Sequence, residues 1–330
     1  MKPVLAITIG DFNGIGPEVA LKAAAHSALR AKCTPLLVGP LNVFEHTRTR
    51  LKLKVKLQKA AAMLPQQGSV VPVMDVGDGI GADVDYGKPS RASGRSAGLA
   101  IEAAVNLCLN GKAAAMVTAP ASKEALNLAG YNFPGQTEMI TLLSRSTKFA
   151  MMLVSKDLRV GLVTIHIPVR SIAEYVTAEK IVEKLGVILE SLKRDFRISD
   201  PTLAVLGLNP HAGEHGVIGN EEQSIILPAL EQARAGGIKA EGPFSADGFF
   251  GEKTFRRFDA VVAMYHDQGL IPLKMHSFGK AVNFSAGLTI IRTSPDHGTA
   301  YDIAGKGKAR LDSMLEAMKL ALQIARNRHD

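Results

Sequence analysis

Three of the nine histidines each follow a short apolar segment of the kind that forms a buried β-strand. His166 follows LVTI, His211 follows AVLGLNP, and His266 follows VVAMY. Three histidine ligands with an open coordination position are typical of a catalytic metal site rather than a structural one. A single histidine in such a loop more often only forms a local hydrogen bond. Three in equivalent positions, however, favour one shared divalent metal ion.

These histidines can meet only if their strands lie in one sheet. Apolar strand-like segments alternate with helix-like segments along the chain, which predicts an α/β fold with a largely parallel sheet. In such sheets, ligands bind beyond the carboxyl ends of the strands. Val261–Lys274 shows this most clearly, because an apolar run changes abruptly into the polar cluster Tyr265–Gly269. A short turn containing proline is then predicted to lead to Lys274.

Polar residues elsewhere suit an anionic substrate. Lys274, Asn283 and Arg292 lie on the elements after His266, where arginine would act as a planar fork and lysine as a point charge. The segment Gln136–Glu138 lies between a Pro-Gly turn and a predicted helix start, a position that can hold an anion. An ordinary helix cap is the alternative there.

The opening segment Gly10–Glu18 joins a predicted strand, Val4–Ile9, to a helix that Pro17 is suited to begin. Its spacing matches neither the phosphate-binding P-loop nor the GxGxxG fingerprint of Rossmann domains. Spacing alone therefore favours a tight turn between strand and helix over a phosphate cradle.

Local patterns give further predictions. The strict alternation of Leu51–Leu57 predicts a strand with one basic face, and Leu288–Arg292 is predicted to be a strand. Thr177 is predicted to cap a helix that reaches about Phe196.

Composition narrows the functional classes. The 330 residues leave room for one large or two ordinary domains, and a hydrophobic fraction of 46% supports a sizeable core. The net charge of +8 favours anionic ligands, but the basic residues are scattered and tryptophan is absent, so nucleic-acid binding is poorly supported.

Cys33 and Cys108 match no metal or redox spacing. We found neither a cleavable signal nor an apolar run of the ~18 residues needed to span a bilayer, and a cytoplasmic protein is expected.

Five sequence blocks are long enough to be compared with known families. They are ITIGDFNGIGPEV, FPGQTE, LNPHAGEHG, YHDQGLIPLK and IRTSPDHGTAYDIAGKG. With these blocks the chain resembles the 4-hydroxythreonine-4-phosphate dehydrogenases of the vitamin B6 pathway essentially end to end. Two of the blocks, at 7–19 and 291–307, also resemble isocitrate and isopropylmalate dehydrogenases.

The resemblance implies two α/β domains flanking a cleft, as in isopropylmalate dehydrogenase, without a Rossmann fingerprint. The terminal domain would comprise residues 1–137 together with 283–330 and carry the NAD loop. The central domain would comprise residues 138–282 and carry the metal histidines and the dimer interface. Family members are homodimers whose active site is shared across that interface.

The resemblance also implies roles for individual residues. His166, His211 and His266 match the metal ligands. Gln136 departs from the family pattern, where histidine is usual, and glutamine can donate a hydrogen bond but cannot titrate. Asp247 and Asp267 are the candidate proton acceptors. The residues matching the substrate-binding set are Gln136, Thr137, Lys274, Asn283 and Arg292, and those matching the cofactor loop are His297, Gly298, Thr299, Ala300 and Asp302.

The implied reaction is the oxidation of 4-phosphohydroxy-L-threonine by NAD or NADP. The product, 2-amino-3-oxo-4-phosphooxybutanoate, would decarboxylate to 3-amino-2-oxopropyl phosphate. The implied metal is zinc, with magnesium, manganese or cobalt as alternatives. Other candidate substrates are 4-phospho-D-threonate, erythronate-type sugar acids and an aromatic dihydrodiol. A zinc hydrolase and a non-enzymatic metabolite sensor are more remote alternatives.

Overall fold

The computed structural model describes residues 2–60, 70–77, 80 and 84–329. The chain divides into two compact units. The first unit comprises Met1–Thr147 and Leu288–Arg326, and the second comprises Lys148–Gly287 and Asn327–Asp330. Each unit contains its own run of strands with helices, so the predicted α/β fold class is confirmed.

The strands of the first unit lie in the order β3-β4-β2-β1-β5-β12, and every pair of neighbours is parallel. The central strands are buried along their whole length or nearly so, as expected for a parallel sheet covered on both faces. Their apolar runs therefore specify position in the sheet as well as conformation. The strands are β1 (Val4–Thr8), β2 (Thr34–Val38), β3 (Lys56–Lys59), β4 (Val70–Met74), β5 (Ala115–Thr118) and β12 (Arg292–Pro295).

Helices of the first unit connect these parallel strands. The longest of its internal helices begins with a reciprocal capping box, in which Ser90 Oγ accepts from the Ser93 N–H at 3.1 Å and Ser93 Oγ accepts from the Ser90 N–H at 3.3 Å. The helices are α1 (Gly16–Ala24), α2 (Ser27–Arg30), α3 (Leu41–Arg50), α4 (Arg91–Leu109), α5 (Lys123–Leu128), α6 (Gln136–Leu143) and α12 (Asp312–His329), of which the last belongs to this unit up to Arg326.

The second unit has a mixed sheet in the order β11-β6-β7-β10-β8-β9. β6 is antiparallel to both β11 and β7, whereas the remaining neighbours are parallel. The strands β7, β10 and β8 therefore place their carboxyl ends at one edge. The strands are β6 (Ala150–Val154), β7 (Arg159–Leu162), β8 (Leu203–Leu206), β9 (Ala240–Phe244), β10 (Ala260–Ala263) and β11 (Val282–Ala286).

One helix of the second unit forms as its sequence predicts. Thr177 Oγ1 accepts from the Lys180 N–H at 3.3 Å and caps the helix that ends at Phe196. Across the described part of both units, no helix has the length and apolar composition to cross a membrane. The helices of the second unit are α7 (Ile172–Tyr175), α8 (Ala178–Phe196), α9 (Leu227–Ala235), α10 (Ala246–Gly251) and α11 (His266–Ser277).

Three local predictions were wrong. Most of Leu51–Leu57 is not a strand, because the N–H groups of Leu51 and Leu53 bond to carbonyls of the last turn of α3 and only residues from Lys56 onward pair with β4. The predicted strand Leu288–Arg292 instead begins at Arg292. The predicted short turn between His266 and Lys274 is the helix α11, which accommodates Pro272 in its interior.

The contact between α4 and α5 gives a testable prediction about stability. A Cβ atom at Gly94 would overlap the backbone carbonyl of Ala125, so these helices can approach this closely only with glycine there. Gly94→Ala is expected to lower the free energy of unfolding by about 1–3 kcal/mol through overpacking. Chemical denaturation of the two proteins measures this difference.

Gly186→Ala is the matched control, because Gly186 lies in the interior of α8 and a Cβ atom added there would meet no neighbouring atom within 4 Å. Alanine at this position is expected to stabilise the protein by about 0.5–1 kcal/mol, since it reduces backbone freedom in the unfolded chain without a clash. Equal effects of the two substitutions would show that the α4–α5 contact does not depend on Gly94.

Candidate active site

The carboxyl edge of the second unit carries the three predicted metal ligands. β7 pairs with β10 and β10 pairs with β8, all parallel, and the histidines follow these strands. The rings of His166 and His266 approach to 5.8 Å between centroids at an interplanar angle of 44°. Two of the three imidazoles are therefore brought together by the sheet.

Asp267 fixes the ring of His266. Its Oδ1 lies 2.7 Å from His266 Nδ1, and the His266 side chain is 35% exposed. A carboxylate bonded to one ring nitrogen orients the imidazole and leaves the other nitrogen for a ligand. This arrangement suits metal binding through Nε2.

His211 lies in a segment of unusual backbone. Residues 211–215 all have positive φ angles, between 43° and 76°. In the described residues, no three His, Cys, Asp or Glu side chains are close enough together to hold a metal ion. The single site with three ligands therefore stays a prediction, and the His166–His266 pair is the part of it that these residues bring together.

The two candidate proton acceptors have different surroundings. Asp247 is exposed. A hydrogen bond from Ser245 Oγ at 2.6 Å lowers the pKa of its carboxyl, and a second hydrogen bond from the Gly248 N–H lowers it further. A carboxylate with a lowered pKa is a weaker base. Asp267 is also exposed, but one of its oxygens contacts His266. The geometry supports Asp267 as an orienting group more directly than as a base.

Two predicted substrate contacts also belong to the second unit. Lys274 lies on α11, the helix that His266 begins. Asn283 lies on β11, and its buried Oδ1 has no hydrogen-bond partner within the described chain. An acceptor of this kind is available to a donor group on a ligand.

The first unit contains a buried arginine at the start of β12. Arg292 is only 3% exposed, and both Nε and Nη2 donate to Thr118 Oγ1, at 3.1 and 2.9 Å. Its Nη1 donates to Thr137 Oγ1 at 3.3 Å. Burial lowers the pKa of Arg292 to about 10, while Glu138 opposes the shift, so the guanidinium remains charged at neutral pH.

The first turn of α6 lies beside this arginine. It contains Gln136, Thr137 and Glu138, and begins after Gly135 without a side-chain cap, so the alternative of a simple helix cap is not what these side chains form. Gln136 Oε1 and Glu138 Oε2 are buried without a hydrogen-bond partner among the residues described. A charged fork, a helix N-terminus and unsatisfied polar atoms together suit an anionic, hydroxylated ligand.

The predicted cofactor loop packs against the opening glycine block, and both belong to the first unit. Tyr301 donates its hydroxyl to Asp11 Oδ2 at 2.7 Å, and the Ile15 N–H donates to the Thr299 carbonyl at 2.9 Å. A Cβ at Gly14 would lie 2.7 Å from that carbonyl oxygen, so glycine is required there. The opening block is a tight turn, as its spacing indicates, and it also supports the loop.

Further anchors hold the far end of the loop. Arg50 Nε donates to the Gly305 carbonyl and Lys22 Nζ to the Gly307 carbonyl, each at 3.0 Å. His297 Nε2 is buried and has no partner in the described part of the chain, whereas Asp302 is exposed. An anchored loop with a ring nitrogen that lacks a partner among the described residues and with an exposed carboxylate suits a nucleotide with ribose hydroxyls.

A family model described as "Pyridoxal phosphate biosynthetic protein PdxA" matches residues 31–321 of this chain. The chain belongs to this family. The family resemblance predicted from the five sequence blocks is thereby confirmed.

Individual relatives match this chain along nearly its whole length. A 4-hydroxythreonine-4-phosphate dehydrogenase from Trichlorobacter lovleyi is 42% identical over 334 residues, covering 99% of both proteins. The crystal structure of a 4-hydroxythreonine-4-phosphate dehydrogenase from Klebsiella pneumoniae matches with a TM-score of 0.89 and 38% identity over 98% of both chains. A terephthalate 1,2-cis-dihydrodiol dehydrogenase from Burkholderia xenovorans LB400 matches with a TM-score of 0.64 and 27% identity over the same share.

Three residues of these contacts were not predicted as site residues of this PdxA-family chain: Thr118, Asp11 and Tyr301. Thr118 ends β5, and Asp11 lies just beyond β1, so their positions after buried strands were a usable signal. Their partners, Arg292 and Tyr301, lie far away in the sequence, and no local pattern identifies such pairs.

Proposed function

We propose that this chain is an NAD-dependent, metal-requiring 4-hydroxythreonine-4-phosphate dehydrogenase. It oxidises 4-phosphohydroxy-L-threonine to 2-amino-3-oxo-4-phosphooxybutanoate, which decarboxylates to 3-amino-2-oxopropyl phosphate. The observation that carries the proposal is the oriented imidazole pair, His166 and His266, in a chain whose full-length relatives bear this activity in their names.

Histidines of the second unit would hold the metal. His166 and His266 would bind it through ring nitrogens, with His211 as the third ligand, and zinc fits such nitrogen donors best among the candidates. When bound, a divalent cation lowers the pKa of the substrate hydroxyl and so favours oxidation at neutral pH. Asp267 holds the His266 ring in orientation, and Asp247 and Asp267 remain the candidates that accept the hydroxyl proton.

The first unit would supply the main phosphate contact. The Arg292 guanidinium is preorganised by two threonine hydroxyls, so little side-chain entropy is lost when an anion binds. Thr137 and Gln136 add a hydroxyl and an amide from the first turn of α6. Lys274 and Asn283, which belong to the second unit, are the other residues proposed to contact the substrate.

The loop that follows β12 would hold the nicotinamide cofactor. Its contact residues would be His297, Gly298, Thr299, Ala300 and Asp302. Because Asp302 is an exposed carboxylate, it suits the ribose hydroxyls of NAD better than the additional phosphate of NADP. The opening block and the side chains of Arg50 and Lys22 keep this loop fixed.

The alternative substrates would also be oxidised by a dehydrogenase. Gln136 stands where the family usually has histidine, and this difference favours 4-phospho-D-threonate or an erythronate-type acid as the second candidate. The dihydrodiol dehydrogenase is the more distant relative, at 27% identity against 42%. A hydrolase would not need the anchored cofactor loop, whereas a non-enzymatic sensor would bind NAD or substrate without turnover.

An absorbance assay at the NADH wavelength tests the proposal. NAD with 4-phosphohydroxy-L-threonine is expected to give steady turnover that a chelator abolishes and added Zn²⁺, Mg²⁺ or Co²⁺ restores. Faster turnover of 4-phospho-D-threonate would reassign the substrate, and turnover unaffected by complete metal removal would contradict the metal role. No NADH from any of these substrates would contradict the dehydrogenase assignment.

The protein would be cytoplasmic and, as the family resemblance implies, a homodimer whose active site is shared across the subunit interface. Light scattering of the purified protein tests whether it is a dimer. Mixing two inactive variants, one changed at Arg292 and one at His266, tests sharing, because recovered activity requires a site built from both chains.

A further inference from the structure

Gln268 lies in the first turn of α11, and the proposed function gives it no role. Its Oε1 accepts a hydrogen bond from the Met264 N–H at 2.7 Å, and its Nε2 donates to the Gly207 carbonyl at 2.6 Å. The orientation of the amide is fixed by these partners, because only its oxygen can accept from an N–H and only its nitrogen can donate to a carbonyl.

The two partners lie on the segments that lead to the predicted ligands. Met264 is the first residue after β10 and precedes His266, and Gly207 is the first residue after β8 and precedes His211. The pairing of these strands extends from Ala260↔Leu203 to Val262↔Val205. After these paired residues, the backbones of β8 and β10 are no longer paired, and the Gln268 side chain joins the two segments instead.

The connection also reaches the third strand. The Met264 carbonyl accepts from both the N–H and the Oγ1 of Thr164, at 3.1 and 2.7 Å, and Thr164 precedes His166. Met264 is therefore bonded on one side to the strand end of His166 and on the other, through Gln268, to the strand end of His211.

The Gly207 end has little freedom to absorb a change. A Cβ atom there would lie 2.9 Å from Ala212 Cα, so the segment carrying His211 folds back closely over Gly207. Glu222 is 1% exposed, and its Oε1 accepts from the N–H groups of Leu208 and Asn209, each at 2.7 Å. A shift of Gly207 would therefore be transmitted to His211.

We propose that Gln268 is a positioning residue that fixes the strand ends bearing His211 and His266 in place and thereby sets the affinity for the divalent metal. The inference rests on the proposed function, because it takes these histidines as metal ligands. Replacing a group that orients metal ligands typically costs about 10–100-fold in metal affinity. An effect of this size is expected for Gln268.

The test is a calorimetric titration of the metal-depleted full-length protein with Co²⁺, combined with thermal unfolding. Gln268→Met keeps the length of the side chain but removes both hydrogen bonds. Gln268→Glu keeps the acceptor for Met264 and places a carboxylate against the Gly207 carbonyl. Both variants are expected to raise the Kd for Co²⁺ by about 10–100-fold.

Asp259→Ala is the matched control for a general loosening of the same strands. Asp259 precedes β10, and its Oδ2 accepts from the N–H and Oγ1 of Thr202, which precedes β8, at 2.8 and 3.2 Å. This change removes a side-chain connection between β8 and β10 at their amino ends. It is expected to lower the Tm in the same way as Gln268→Met and to leave the Co²⁺ affinity unchanged.

The possible results distinguish a failure of the positioning role of Gln268 from a failure of the proposed metal binding. Unchanged Co²⁺ affinity in Gln268→Met, or equal weakening in Asp259→Ala, would overturn the positioning role and leave the proposed function intact. Failure of the unmodified protein to bind Co²⁺ would overturn the metal role and this inference with it. If Gln268→Met does not fold, Gln268→Glu decides the question by the same criteria.

Discussion

Replacing His266 by alanine is expected to abolish stoichiometric binding of Zn²⁺ or Co²⁺ and to lower kcat by more than about 100-fold. The reason is that loss of even an outer-shell partner of a metal ligand typically costs about 10–100-fold in affinity or activity. The ring of His266 lies beside that of His166 and is held by Asp267, so its removal eliminates half of the imidazole pair. Calorimetry and the NADH assay measure the two effects on the same preparation.

His276→Ala is the control for this experiment. His276 lies on the same helix, α11, but its Nε2 contacts Asp157 Oδ1 at 2.7 Å and its ring packs against Phe255. That substitution is expected to leave metal binding and kcat within about twofold of their original values, since the contacts of His276 are with Asp157 and Phe255 and not with His166 or His266. Full metal binding by His266→Ala would rule out His266 as a ligand, and His211→Ala tests the third ligand in the same assay.

Replacing Arg292 by lysine is expected to raise KM for the phosphorylated substrate by more than about 30-fold while KM for NAD changes little. Lysine retains the charge but cannot bond to both threonine hydroxyls and also present a fork to a phosphate. Truncating a buried, hydrogen-bonded charge typically costs about 2–5 kcal/mol, and each 1.4 kcal/mol is tenfold in affinity. Steady-state kinetics with each substrate varied in turn gives the two KM values.

Two controls separate recognition from folding. Thr118→Val removes the hydroxyl that accepts from Nε and Nη2 of Arg292 but leaves the arginine present, so an intermediate rise in KM is expected. Arg310→Ala removes a 75%-exposed arginine of the first unit and is expected to change neither KM. Equal increases in KM for substrate and NAD in Arg292→Lys would show that Arg292 supports the fold of the unit rather than the substrate.

The sequence was most informative where burial and local pattern agree. The apolar runs before His166, His211 and His266 correspond to β7, β8 and β10, and their parallel pairing places the histidines at one edge of the second unit. Apolar runs of this length are typical of strands buried on both faces, and the side of the sheet follows from chain direction.

Predictions failed where a second structure could satisfy the same pattern. The alternation in Leu51–Leu57 is compatible with a strand. The N–H groups of Leu51 and Leu53, however, donate to carbonyls in the last turn of α3 and are not available for a sheet. α11 is apolar on two faces, with Leu270 buried and Met275 exposed, so its helical period is not visible. Contacts such as Arg292–Thr118 join residues far apart in the chain, and only the fold reveals them.

The division of the first unit into two segments has a consequence for synthesis of the protein on the ribosome. The second unit is encoded as a nearly continuous segment, and Ala150 pairs with Ala286 near its two ends. It can therefore fold while the last part of the chain is still being made. The first unit cannot be completed until β12 emerges and pairs with β5, and the cofactor loop follows β12. A nascent chain is thus expected to fold the unit that carries the proposed metal ligands before the proposed nucleotide loop is in place.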